Sequence, residues 1–192
     1  MVKRFTNPRA LLVGGGLATS IFLIVFGIGA IVLGAQGRQE VRDNLAREKI
    51  VGTKDSTIPG EVVDTGAEAQ AFADVMRVHT LEASGGLTYS EMPRYLDANG
   101  KGTSDKNAAA LNADGKPVEN PVRQLWVTET ALTTALNTAY FAEQVSLFVL
   151  LLGVALTLSG AGFAVLALGA VRHSLATEEE ARVAARTPLA TT

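Results

Sequence analysis

The chain of 192 residues has no cysteine. This excludes thiolate metal sites, thiol nucleophiles and disulfide redox chemistry, and any part lying outside the cell must fold on packing alone. Histidine is almost as scarce, with only His79 and His173. No Ser-His-Asp set, glycine-rich phosphate loop or nucleic-acid signature is present. Charge is missing from two long stretches. Residues 10–35, "ALLVGGGLATSIFLIVFGIGAIVLGA", and 144–171, "QVSLFVLLLGVALTLSGAGFAVLALGAV", contain no Asp, Glu, Lys or Arg.

Those two runs set the class. A helix needs about 20 predominantly apolar residues to cross the hydrocarbon of a bilayer, and each run exceeds that. A chain of this length cannot enclose two such helices on all sides. The first run follows Lys3, Arg4 and Arg9 and offers a small-residue site in "VLGAQ", as a secretory signal does, but a signal's apolar region is only about 7–15 residues. An uncleaved anchor is the expectation. Neither run holds an ionisable group, so no ion path or proton relay is expected.

Orientation follows from charge. Residues outside 37–143 carry Lys3, Arg4, Arg9, Arg172, Arg182 and Arg186 against Glu178, Glu179 and Glu180, a net +3. Residues 37–143 carry 11 basic and 16 acidic side chains, a net −5, and the two parts sum to the whole-chain −2. The positive-inside rule places both termini in the cytoplasm. The expected order is a cytoplasmic N-terminus (1–9), a first span (10–35), an extracytoplasmic domain (36–143), a second span (144–171) and a cytoplasmic tail (172–192) that frays from about Thr177. The fold class is an all-α membrane protein with a small helical extracytoplasmic domain between two transmembrane helices.

Within the spans, Gly16, Ser20, Gly27, Ala30 and Gly34 share one helical face, and Gly153, Thr157, Gly160 and Ala164 share another. Small residues let helix backbones approach closely in lipid. Between the spans, Val41, Leu45 and Ile50 recur at helical spacing, so the first helix should continue to about Gly52. Thr65 with Glu68 is a capping box opening a helix with Phe72, Val75, Met76 and His79 on one side. Gly85-Gly86 should end it. A short third helix is expected from Thr88 or Ser90, with Pro93 in its first turn and Tyr89, Met92, Tyr95 and Leu96 as contacts. Residues 97–120 read as an exposed loop with turns at Asn99-Gly100 and Asp114-Gly115, and no internal repeat is evident. Asn120-Pro121 opens the last helix, with Val122, Leu125, Trp126, Leu132, Leu136 and Tyr140 as its buried face. That helix should run unbroken to Val171 as a rod of roughly 75 Å.

Candidate sites are few. His79 and Glu82, three apart on a helix, can face one ligand, but the expectation is a half-buried histidine bonded to Glu82 or backbone. "DANGKGTSD" places Asp97, Asn99 and Asp105 near the ligand positions of a calcium loop. Lys101 stands at a ligand position, so a solvated turn is expected. Thr128, Thr130, Thr133, Thr134 and Thr138 form a polar strip on the final helix, either solvated or facing a partner. Trp126 is expected against Phe72 and Met76.

The stretches "EKIVGT", "DTGAEAQAFADVMRVHTLEASGGLTYSEMPRY", "NGKGT" and "VENPVRQLWVTETALTTALN" resemble a group of actinobacterial two-span membrane proteins whose members often carry the name aromatic ring-opening dioxygenase. The resemblance covers most of the chain and implies an actinobacterial envelope protein of this topology. It brings no established catalytic residues. Extradiol chemistry holds iron through two histidines and a carboxylate. His79 is the sole histidine between the spans and His173 lies beyond the second, so one chain lacks the ligand set.

The reading is a structural or interaction protein of the membrane, an accessory subunit of an envelope complex, that contacts lipid and a protein partner or a second copy, not nucleic acid. No cofactor and no enzymatic activity are expected. The alternative is a ligand-binding or sensing module with a pocket among Trp126, Tyr89, Tyr95 and His79. A metal-dependent dioxygenase comes third.

Overall fold

A computed structural model describes residues 8–186. They form helix α1 (Pro8–Glu48), helix α2 (Gly66–Ala83), the two-residue strands β1 (Tyr95–Leu96) and β2 (Gly102–Thr103), and helix α3 (Pro121–Arg186). The architecture is mostly helical, and α1 and α3 are long and apolar enough to cross a membrane. Contacts divide the chain into two units, one from residues up to 36 and from 146 onward, the other spanning 37–145.

In the first unit α1 and α3 run antiparallel. The Ser20 hydroxyl donates to the Gly160 carbonyl at 2.7 Å. A Cβ on Gly27 would lie 2.7 Å from the Gly153 carbonyl oxygen, and one on Gly34 would lie 2.7 Å from that of Ser146. Only glycine permits such approach. Ser20, Gly27, Ala30, Gly34, Gly153 and Gly160 are buried, and Gly16, Thr157 and Ala164 are half-buried. The outer faces carry the bulk: Leu12, Phe22, Phe26, Phe148, Leu158, Val165 and Leu166 are all more than half exposed. Small residues lie inside and large apolar ones outside, the inverse of a water-soluble helix pair. Helix α3 continues through Thr177 to Arg186, and the rest of the tail, like the N-terminal residues 1–7, lies outside the described residues.

The 37–145 unit is not all helical. Its core joins Leu45, Val63, Ala69, Ala73 and Leu136, with Val41, Ile50, Phe72 and Met76 against it. Helix α1 ends earlier than Gly52, at Glu48, where Lys49 takes a left-handed conformation (φ 53°). The following segment is a closed loop: Gly52 N–H donates to the Glu61 carbonyl at 2.8 Å and Val63 N–H to that of Ile50 at 3.0 Å. The capping box at Thr65 and Glu68 forms. Helix α2 ends at Ala83, with Gly85 and Gly86 at positive φ and the Gly86 N–H on the Leu81 carbonyl.

No helix forms at 88–96. Thr88 to Glu91 make a single turn, with the Met92 N–H on the Thr88 carbonyl at 3.1 Å. Pro93 disfavours a helical conformation at the residue before it, and Tyr95–Leu96 form β1. The supposed loop 97–120 contains a short repeat. "LDANGKG" and "LNADGKP" fold alike: the Oδ1 of Asp97 accepts the N–H groups of Asn99 and Lys101, and that of Asn112 accepts those of Asp114 and Lys116, all at 2.8–3.0 Å. Gly100 (φ 76°) and Gly115 (φ 71°) supply the left-handed corner of each turn. These two hairpins correct the all-α expectation.

Helix α3 opens as expected, the Asn120 Oδ1 accepting the Val122 N–H at 3.1 Å. Its buried side differs. Leu125 and Leu132 are 41% and 49% exposed, while Glu129 and Glu143 are buried beside Trp126 and Leu136. The interior stripe is 126, 129, 133, 136, 140 and 143, a strict three-and-four spacing. Carboxylates occupy two of its positions: Glu143 accepts from Gly66 and Arg38, and Glu129 from the neighbouring Thr130 hydroxyl at 3.3 Å.

Candidate functional site

Glu143 is the best-satisfied charge. One oxygen accepts the Gly66 N–H at the start of α2 (2.6 Å), and the other accepts from Arg38 on α1 at 3.0 Å. One side chain on α3 therefore ties all three helices of the 37–145 unit. A carboxylate at a helix N-terminus is favoured by the partial positive charge there. Arg38 and Glu143 are the charged residues nearest the two apolar runs on the inner side of 37–143. That placement was the available sequence signal for them.

His79 does not meet Glu82. Its Nε2 contacts the Asp55 carboxylate in the 49–64 loop. Both side chains are well exposed, at 43% and 57%. The hydrogen bond from His79 holds the Asp55 carboxyl below its ordinary value. This pair pins the loop to α2. Among the described residues no group of three or more His, Asp or Glu converges as a metal site would. Asp97 spends its Oδ1 on two backbone N–H groups, and the Asp105 Oδ1 accepts from Asn107. The threonines 128, 133 and 138 bond carbonyls of their own helix.

Trp126 is buried at 3% exposure but lies outside the Phe72–Met76 cluster. Its Nε1 donates to the Leu87 carbonyl at 3.1 Å, and the Arg77 guanidinium sits 5.4 Å from the ring centre. The indole thus seals the C-terminal end of α2, because its N–H needs an acceptor that the turn at Leu87 supplies. Tyr89 and Tyr95 line a separate cavity with Arg94 and Arg123. His79 and Trp126 are not part of it.

An open, mostly apolar groove of about 760 Å³ lies between α1, α2 and α3. Val41 and Leu45, Phe72 and Met76, and Leu132 and Leu136 form its walls, with Ala135, Ala139 and Ala142 along α3. Its polar groups are confined to Asn44, Glu48 and Thr138. Residues 132, 135, 139 and 142 follow helical spacing, so one face of α3 presents two leucine-sized walls and a floor of alanines. Soluble surfaces rarely leave such a patch uncovered.

Comparison with protein-family models, curated proteins and solved structures returned no match to the chain.

Proposed function

We propose that the protein is an integral component of the cytoplasmic membrane, with both termini in the cytoplasm and residues 36–143 outside. Its role is structural: an accessory subunit that receives an apolar helix of a partner protein in the groove between α1, α2 and α3. The apolar groove carries this reading. Three helices line it, and the alanines at 135, 139 and 142 leave room for a fourth backbone to approach, as helix-in-groove recognition requires. The bulky outer faces of the apolar helices support the membrane placement, since lipid is the solvent that accepts them.

A photo-crosslinking amino acid at Leu132, in cells making the full chain, tests the role. A discrete protein adduct is expected from Leu132, none from the exposed turn at Ser104, and loss of the adduct when Ala139→Trp fills the groove. Absence of an adduct at Leu132, or the same adduct from Ser104, would contradict it.

A further inference from the structure

We infer that the cavity between residues 89–95 and the start of α3 binds a small organic anion, a carboxylate or phosphate carried on a ring. The inference stands apart from the groove and from the side of the membrane on which the unit lies. The cavity holds about 580 Å³, within the size range of small-ligand sites. Arg94 and Arg123 both line it. Among the described residues neither guanidinium has an ion-pair or hydrogen-bond partner, the two ion pairs being Arg38–Glu143 and His79–Asp55.

Arg123 is held in place without being neutralised. Its guanidinium lies 4.0 Å from the centre of the Tyr89 ring, and its Nε is buried without an acceptor. An unpaired buried N–H is costly, and an anion arriving beside the fork would offset that cost through charge-assisted bonds. A second cavity of about 570 Å³ shares Tyr95 and Glu119 with the first and adds Lys106 and Lys116. Four cationic side chains therefore border the two cavities against the single carboxylate of Glu119. Tyr89 and Tyr95 give a ring something to lie against.

The walls are already fixed. Leu96 N–H donates to the Val118 carbonyl at 3.0 Å, and Asn120 N–H to that of Arg94 at 2.9 Å. The Asn120 Nδ2 donates to the Pro93 carbonyl at 3.0 Å. Such preorganisation reduces the ordering cost of binding.

Trp126, the only tryptophan, lies one helical turn from Arg123 and reports on the site. The full-length protein in detergent micelles would be titrated with glucuronate, with glucose 6-phosphate and with neutral glucose, following tryptophan fluorescence and, independently, calorimetric heat. A saturable response to at least one charged sugar and none to glucose is expected, and which anion binds separates carboxylate from phosphate recognition. Affinity should fall roughly tenfold or more in Arg94→Gln and in Arg123→Gln, the scale of one lost charged hydrogen bond. It should rise in Glu119→Gln. Arg94 is exposed, so its variant remains informative if Arg123→Gln fails to fold. No saturable response to either charged sugar by both methods, an equal response to glucose, or unchanged affinity in Arg94→Gln would overturn the inference.

Discussion

Glu143 and Arg38 show how much one buried carboxylate organises. Removing Glu143 leaves the Gly66 N–H without an acceptor and Arg38 without its pair. Because the Arg38 side chain is 39% exposed, water can reclaim the guanidinium but not the amide. Glu143→Ala should therefore cost about 1–3 kcal/mol, the range for an orphaned buried donor. Glu143→Gln, which keeps an acceptor, should cost less. Denaturant titration of both variants in one detergent checks the order; equal losses would mean the charge, not the acceptor, matters. The His79–Asp55 pair gives a second test. In His79→Ala the Asp55 titration midpoint, followed by NMR, should rise toward its ordinary 3.8. Since the folded value is the depressed one, this contact stabilises the fold fully above pH 3.8 and is lost as pH falls through the folded pKa. His79 stands out in the sequence, but its partner Asp55 does not. Asp55 is 24 positions from His79, and only the closed loop brings it back, whereas Glu82, one turn along the same helix, makes no bond to the ring.

At the scale of elements, local signals and long-range contacts separate cleanly. Both the Thr65–Glu68 box and the Asn120-Pro121 start could be read directly, because a cap is settled by a few neighbouring residues. Desolvation works against the Glu68 charge, but the backbone N–H groups of Asp64 and Thr65, the Thr65 hydroxyl and the nearby Arg42 charge together lower its pKa. The cap should thus be at full strength above about pH 4.5 and weaken as pH falls below that value. Thr65→Ala should cost about 1 kcal/mol at neutral pH; a loss near zero would show that the box adds nothing to α2. The segment 88–96 was read as helix from its apolar spacing, yet Pro93 and the hairpin pairing of Tyr95 with Thr103 decide it. The twin turns at Asp97 and Asn112 were visible as "DANGK" and "NADGK", but a five-residue repeat is shorter than the periods that usually signal repeats. On α3 the apolar spacing points to Leu125 and Leu132 as buried, yet both are exposed, because apolarity alone does not place a side chain inside. Glu129 and Glu143 lie on the interior stripe instead, Glu143 with donors from α1 and α2.

For the whole molecule, the decisive pattern is small residues inside and large apolar residues outside along the paired portions of α1 and α3. The apolar runs fixed those segments from the sequence alone, since length and lack of charge need no tertiary information. A Cβ on Gly153 would lie 2.6 Å from the Gly27 carbonyl oxygen. Gly153→Leu should therefore force the helices apart and lower the melting temperature measurably, whereas Gly162→Leu, with nothing within 4 Å, should not. What remained beyond the sequence was the groove, because three segments far apart in the chain build its walls. The proposed topology is a two-span membrane protein with residues 36–143 outside and both termini inside. Single cysteines at Ser104 and Glu180, both exposed, can be probed on intact cells with a membrane-impermeant maleimide. Labelling is expected at position 104 alone, with position 180 reacting only after the membrane is opened. Labelling at 180 on intact cells, or recovery of the full-length chain in the soluble fraction, would contradict it.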